Sequence, residues 1–406
     1  MRVTAACQVL LATGAAECAR RLLAPAAPPL APASVDLSDH FTSAQIDRGR
    51  RYARGQRALA LARAGLDLGL LAALVRRPPG VLTRGRSLGA AAAAGAGLSA
   101  ALAVGSLPLR AVARRRSRAV GLDTQTWQDW AVDIGKATAI QSSIAAGAGV
   151  AVTAVARRFR RGWWAPAAAG SVAFGAGVAA LAPVLLDPIF NSFTPLPEGE
   201  TRSDVLSLAG AAGIEIGGVY SVDASRRTTA ANAYVTGLGP SRRVVLFDTL
   251  LERFSRDEIR LVVAHELAHV RHRDVLRGLA FAAIVAPAAA LGAQRLSWTL
   301  SPHRADGAAL PALALSAGLV SMPVGLVANA LSRAIERRAD HFSLTLAGAP
   351  EAFVSFERAI ALQNVADLDP PRWVAGLLAT HPTTAERIGA AVAFADAHVG
   401  VSPGAG

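Results

Sequence analysis

Leu261-Val262-Val263-Ala264-His265-Glu266-Leu267-Ala268-His269-Val270-Arg271-His272-Arg273-Asp274 carries the pattern HExxH within a run that reads as helix. Residues four apart share a helix face, so His265 and His269 can reach one metal ion from the same side. Glu266 lies one residue on, where its carboxylate can take a proton from a metal-bound water. Two imidazoles and a more distant carboxylate, with a fourth position left to water, make a common zinc-hydrolase ligand set. The plain alternative is a surface helix with two solvated histidines. Only two cysteines occur, Cys7 and Cys18, so neither a disulfide framework nor a thiolate metal site is available. A metal in this chain must be held by histidine and carboxylate.

A third ligand is offered downstream. Asn329–Asp340, NALSRAIERRAD, also reads as helix, and Asn329, Ser332 or Arg333, Glu336 and Asp340 fall on one polar stripe. The stripe follows directly on an apolar run, where a helix ordinarily turns an apolar face inward. Glu336 is the expected third ligand. Asp340, one turn on, suits a carboxylate that accepts a ring N–H from a ligating histidine and so fixes its tautomer. A solvated charged helix competes with this reading, since Arg337, Arg338 and His341 lie beside the acids. An HExxH helix that lacks a carboxylate decides against it. His272 points roughly 60° away from the metal face and is left out of the ligand set.

The chain has 406 residues, 52% hydrophobic and 17% charged, with a mean hydropathy of +0.35. Runs at Ala58–Val75, Leu88–Leu107, Ala137–Ala156, Pro166–Leu186, Leu279–Leu300 and Ala308–Leu331 approach the roughly 20 residues needed to cross a bilayer. Six such runs together predict a polytopic membrane protein rather than a soluble bundle. A weaker seventh span, Val3–Ala16, is expected at the start; its length also fits a signal-peptide core. The formal charge of +13 is carried by arginine, with Lys136 the only lysine. The arginines cluster beside the apolar runs, at 48–57, 76–86, 110–118 and 157–161, where they orient helices and meet anionic headgroups. No nucleic-acid module or aromatic–basic interleaving occurs, so no nucleic-acid partner is expected. With seven spans, the HExxH segment shares the side of the 48–57 and 110–118 clusters, the cytoplasmic side by the positive-inside rule.

From Asp187 the composition changes. Asn191–Glu200 reads as a turn-rich exit from the membrane, Thr201–Ala212 as helix, and Ile214–Val222, Ala233–Leu238 and Arg243–Phe247 as strands with Gly-Pro-Ser at a turn. Asp257–Asp274 is the metal helix, capped by Ser255 or Asp257. The expected organisation is a weak membrane span or signal-like segment at 1–40 and membrane helices with basic loops at 41–187. A first catalytic part with the HExxH helix follows at 188–278, then a transmembrane hairpin at 279–331. A second catalytic part, with the Glu336 helix and a His-Pro motif, fills 332–397, before a disordered tail at 398–406. The catalytic part is thus an α+β unit split by two membrane helices.

Longer stretches resemble a known family. They are FTSAQIDRGRRYARGQR at Phe41–Arg57, GLDTQTWQDWAVDIGK at Gly121–Lys136, PIFNSFTPLPEGE at Pro188–Glu200 and DASRRTTAANAYVTGLGPSRRVVLFDTLL at Asp223–Leu251. NALSRAIERRAD, NVADLDPPRW at Asn364–Trp373 and HPTTAERI at His381–Ile388 complete the set. Over roughly residues 40 to 390 the chain resembles the type I CAAX prenyl endoproteases and their bacterial relatives, integral-membrane zinc metallopeptidases with an HExxH…ExxxD site. Ala268 stands where that family often has glycine, and the first forty residues do not match. The resemblance implies a mostly α-helical barrel of about seven transmembrane helices around a water-filled chamber, with a small zincin-like catalytic unit. It implies one zinc per chain on His265, His269 and Glu336, with Glu266 as base and Asp340 beside the ligands. It further implies His381 at the substrate or oxyanion, Asn232-Ala233-Tyr234 as the edge strand on which the peptide lies, and Arg387 as a supporting residue. Read without it, His381 is a loop histidine and Asn232–Tyr234 simply a strand.

The activity so implied is zinc-dependent hydrolysis of a peptide or protein substrate, lipidated or membrane-associated, at a bacterial cell membrane. A broad quality-control protease of membrane proteins is the alternative within the enzyme class. A catalytically silent membrane scaffold or sensor is the alternative outside it.

Overall fold

Apolar helices that a protein does not bury itself need hydrocarbon around them. The computed structural model describes residues 5–83, 85, 87–237 and 242–399. Its first half is helical: α1 (Ala5–Leu23), α2 (Ser43–Arg76), the short α3 (Gly80–Thr83), α4 (Leu88–Gly105), α5 (Leu107–Ala119), α6 (Trp127–Phe159), α7 (Trp164–Leu185) and the one-turn α8 (Asp187–Phe190). The second half begins with β1 (Phe193–Pro195), α9 (Glu200–Ala211), β2 (Gly218–Val222), β3 (Ala233–Thr236), β4 (Arg243–Phe247), α10 (Asp248–Arg253) and α11 (Arg256–Arg271). It ends with α12 (Asp274–Leu300), α13 (Leu310–Ala347), α14 (Pro350–Gln363), a π-helical turn at Val374–Leu378, and α15 (Thr384–Val399).

Six of these helices, α2, α4, α6, α7, α12 and the stretch Gly307–Ala347 that contains α13, are long and apolar enough to cross a membrane. Their most apolar windows bury only 6% to 28% of their residues inside the molecule, so the rest must meet lipid or a cavity. The chain is a polytopic integral membrane protein. The six expected runs fall on these six helices. The seventh, Val3–Ala16, begins outside the described residues; the helix there, α1, is not among those long and apolar enough to cross a membrane. α1 packs Ala16 and Ala19 against Phe281 and Val285 of α12 and Leu331 of α13.

Several expectations are corrected. The Glu336 helix is not a separate element: α13 runs unbroken from Leu310 to Ala347, through Pro323, so Glu336 lies on the same helix as the apolar run before it. Likewise α12 starts at Asp274 and passes through the expected boundary at 279. The strand expected from Ile214 begins at Gly218, and Phe193–Pro195, read as a turn, is a strand. Leu238 and the Gly239-Pro240-Ser241 turn lie outside the described residues, as does the tail from Gly400; His398 and Val399, assigned to that tail, belong to α15.

The four strands form one sheet in the order β1-β2-β4-β3, with β2 and β4 parallel and the outer pairs antiparallel. β3 is therefore an edge strand. The helix α11 is capped by Ser255, whose side chain accepts from Glu258 N while the Glu258 carboxylate accepts from Ser255 N, a reciprocal cap. Ile259, Val263 and Leu267 recur every four residues and enter the core with Val244 and Leu246 of the sheet and Val205 of α9. At 100° per residue, His265 and His269 then lie on the opposite side of α11, facing α13. The sheet thus fixes the roll of the helix that carries the histidines.

In the membrane half α4 and α6 approach until side chains would collide. A Cβ on Gly95 would stand 2.2 Å from the Ala145 carbonyl oxygen, and one on Gly149 2.5 Å from that of Ala91. Small residues at such crossings let backbones pack where no hydrophobic force drives them together. Gly95→Val is expected to destabilise the detergent-solubilised protein by about 1–3 kcal/mol. Gly97→Ala, at a position with open space around it, serves as the control in the same thermal unfolding measurement and is expected not to destabilise.

Candidate metal centre

α11 and α13 cross so that the two stripes read from the sequence meet. His265 Nε2 stands 3.3 Å from His269 Nε2 and 3.3 Å from Glu336 Oε2, and His269 Nε2 lies 3.8 Å from Glu336 Oε1. Ligands 2.0–2.1 Å from a tetrahedral zinc stand about 3.3–3.4 Å apart, so these three groups have the separations of a filled coordination shell. The rear nitrogens are engaged elsewhere: His265 Nδ1 lies 3.0 Å from Asp340 Oδ1, and His269 Nδ1 3.1 Å from Asp274 Oδ2. With each Nδ1 beside a carboxylate, the two Nε2 atoms and a carboxylate oxygen of Glu336 are left to converge on one point. Glu336 Oε2 is buried without a hydrogen-bond donor. Such a cluster calls for a positive charge at its centre. Burial works against the imidazolium form of His265, yet the adjacent carboxylates of Asp340 and Glu336 outweigh it and lift the group to about 10. Two imidazoles and a carboxylate at these separations fit a divalent cation.

Glu266 is grouped with the two histidines, one ligand atom of each lying within 4.8 Å of the others. Burial pushes its carboxyl upward, with the neighbouring histidines opposing. That shift moves a carboxylate toward the neutral range in which it can both accept and release a proton. His381 reaches the same place from the loop after the π-helical turn, with Nε2 3.4 Å from Glu336 Oε2 and Nδ1 2.9 Å from the Thr380 hydroxyl. Its side chain stays 60% exposed, open to whatever enters the site. Burial also favours its neutral form.

The loop is held by the other end of the polar stripe. Asn329 Nδ2 donates to the carbonyls of Leu377 and Leu378, and Arg333 donates to those of Gly376 and Ala379. One face of α13 therefore anchors the His381 loop with its first two polar residues and reaches α11 with the next two. Asp340 is gripped from behind by Arg387, Nη2 to Oδ1 at 2.6 Å and Nε to Oδ2 at 3.0 Å, and Arg387 also meets Glu357 at 2.7 Å. Asp274 is clamped by Arg338 at 2.5 Å and Arg277 at 3.4 Å. The two histidines thus have matching supports, Asp340 with Arg387 and Asp274 with Arg338. Sequence reasoning gave Asp274 and Glu357 no role. His272 turns away as expected, with Nδ1 2.9 Å from the Ala268 carbonyl and its ring edge-on to Phe342. Ala233 and Tyr234 lie on the edge strand β3, and Asn232 spends its carbonyl on Phe247 N.

The profile of peptidase family M48 matches residues 195–395, which include every one of these groups. The uncharacterized metalloprotease YhfN of Bacillus subtilis (strain 168) is 33% identical over 292 residues, covering 70% of this chain and 68% of its own. The chain belongs to peptidase family M48. A CAAX prenyl protease 1 homolog of Oryza sativa subsp. japonica is 30% identical over 227 residues, about half of each chain. Among solved structures, S. mikatae Ste24p superposes with a TM-score of 0.75 at 20% identity, covering 95% of this chain and 97% of the other. That likeness speaks to the fold, and it extends to both halves of the molecule. This M48 protein is a membrane metallopeptidase, which decides between the enzyme and scaffold readings.

Glu357 supplies a test of the buried support. Burial pushes its carboxyl up to about 7, against the opposing charge of Arg387. The folded state then binds that proton more tightly than the unfolded chain does, so the group's contribution is complete below the ordinary carboxyl range and is lost as pH rises toward 7. Glu357→Gln is expected to flatten the fall in melting temperature between about pH 5 and pH 8; an unchanged slope would contradict the assignment.

Proposed function

We propose that this M48 protein is a zinc endopeptidase holding one zinc per chain on His265, His269 and Glu336. The observation that carries the reading is the convergence of two imidazole Nε2 atoms and a carboxylate at 3.3 Å to 3.8 Å, each histidine backed by its own acid. When bound, the metal polarises the attacking water and the scissile carbonyl. Glu266 takes the proton from that water and delivers it to the leaving amine. With the Thr380 hydroxyl donating to Nδ1, His381 keeps its proton on Nε2 and donates it to the developing oxyanion. Asp340 and Asp274 hold the ligand rings in one tautomer and one orientation, and Arg387 keeps Asp340 in place.

The substrate segment lies along Asn232-Ala233-Tyr234, adding a strand to the free side of β3 through main-chain hydrogen bonds. That mode asks little of the side chains and leaves specificity to what flanks the cut. A peptide carrying a prenyl group beside the scissile bond fits, because its apolar tail can remain at membrane depth. The catalytic residues face the cytoplasm in this reading. The basic start of α2 meets the catalytic half, Arg57 to Asp367 at 2.7 Å and Arg50 to Asp369 at 2.9 Å, which puts one large arginine cluster on the side of the metal.

Two measurements test the proposal. Glu266→Gln is expected to retain its zinc by elemental analysis and to lose at least about a hundredfold in peptide hydrolysis, whereas Glu336→Ala is expected to lose the zinc itself; unchanged stoichiometry in the second variant would remove Glu336 from the ligand set. Running the wild type on one peptide with and without a prenyl group separates a lipid-dependent protease from a broad quality-control one, since equal cleavage of both assigns the second. Independently, Asp274→Asn is expected to weaken zinc retention against a chelator by about 10–100-fold, with retention equal to the wild type ruling out its support of His269.

A further inference from the structure

The end of the bundle away from the metal holds a second site. α6 begins beside the catalytic half and α12 begins one turn after the metal helix, so their far ends stand a membrane's thickness from the zinc position, about 40 Å at 1.5 Å per residue. Between those ends lies an open cavity of about 580 Å³ whose walls carry Arg157, Arg160, Arg161, Arg304 and Trp298, with only alanines besides. Every polar side chain lining it is a hydrogen-bond donor, and none is an acceptor. The indole Nε1 of Trp298 is buried there without a partner.

Four guanidinium groups do not gather by mutual attraction. Arg160, Arg161 and Arg304 form no ion pair with a carboxylate among the described residues. Backbone carbonyls and an aromatic ring hold two of the pocket's arginines in place. Arg157 Nε donates to the Ala305 carbonyl at 3.1 Å, and Arg304 donates to the Trp298 and Ser301 carbonyls while standing over the Trp298 ring at 5.5 Å. Arg160 is held at φ 38°, a left-handed conformation that a side-chain-bearing residue adopts at a cost, in the tight turn between α6 and α7. The carboxylate nearest in sequence, Asp306, lies 3.3 Å from His303 and lines a smaller adjoining cavity that Arg304 also lines. The charge of Arg160, Arg161 and Arg304 is left for a ligand.

We propose that the pocket binds the phosphate of an anionic phospholipid headgroup. Arginine forks match phosphate oxygens bidentately. The depth selects a lipid over a soluble anion. Arg157–Arg161 close the α6 span, Trp298 sits in the last turn of the α12 span, and Phe159 and Leu300 present exposed apolar side chains beside them. Tryptophan and arginine at the ends of spans mark the headgroup level. A lipid bound there would bridge the α6–α7 turn to the connection between α12 and α13, the two helices whose opposite ends carry Asp274 and Glu336. This site is independent of the reading of the metal centre.

The test uses the full-length, metal-loaded protein in detergent, with phosphatidylglycerol, phosphatidylcholine and inorganic phosphate as probes. Native mass spectrometry is expected to show phosphatidylglycerol retained in preference to phosphatidylcholine, and only the former is expected to raise the melting temperature. Each arginine is expected to contribute about fivefold to retention (~1 kcal/mol), so Arg161→Gln should weaken it about fivefold and R160Q/R161Q/R304Q at least about fiftyfold. Arg161→Gln removes an exposed side chain, which keeps the test valid should the triple variant fold poorly. Arg115→Gln, an exposed arginine near the other end of the bundle, is expected to change nothing. Equal retention of the two lipids, an unaffected Arg161→Gln, or an equal loss in Arg115→Gln would overturn the site. Inorganic phosphate reproducing the stabilisation alone would keep an anion site and overturn the lipid as its source.

Discussion

Two imidazole lone pairs and a carboxylate oxygen pointed at one another repel, and most of the catalytic half is arranged to keep them there. The sheet sets the roll of α11 through Ile259, Val263 and Leu267, which leaves His265 and His269 no face but the one toward α13. Asp340 and Asp274 take the outer ring nitrogens. Those acids are buried in turn and would be costly alone, so Arg387 and Arg338 pair with them. Breaking either pair by removing one partner leaves an uncompensated buried charge, which is far more destabilising than the pair is stabilising. The cation requirement at the centre thus propagates outward as alternating charge.

The membrane half follows a different logic. Its helices are rich in alanine and glycine, apolar enough to enter lipid but with little side-chain volume to interlock. Close packing is reached instead by backbone contact at Gly95 and Gly149, where α4 and α6 touch. Arg114 shows the polar counterpart: it is buried, paired with Asp123 at 3.0 Å, and covered by the rings of Trp127 and Trp130. A charge at the edge of the bilayer is tolerated where a carboxylate pairs with it and aromatic faces cover it.

Much of this was legible in the chain because helices convert spacing into direction. HExxH and the stripe from Asn329 to Asp340 each declare a face, and six apolar runs declare six spans. What escaped did so for identifiable reasons. Asp274 lies beyond a helix break at Arg273, whose φ of 56° swings the next helix back toward His269; no periodicity crosses such a turn. Arg387 meets Asp340 and Glu357 only through tertiary contact between α13, α14 and α15, and His381 arrives on a loop whose path is set by Asn329 and Arg333. For His381 and Arg387 the signal was family resemblance, not pattern. β1 was missed because three residues ending in proline carry no alternation to read. The continuity of α13 was missed because a change from apolar to charged composition looks like a boundary, whereas a helix can leave the membrane without ending.

The Arg387–Asp340 pair has a consequence for the order of events during synthesis. The HExxH helix leaves the ribosome first, two membrane helices must then be inserted before Glu336 can fold back onto it, and Arg387 follows later still. Until that arginine arrives, Asp340 has no counter-charge and His265 no fixed orientation. The cluster of His265, His269 and Glu336 is therefore braced only after the last helix has been made.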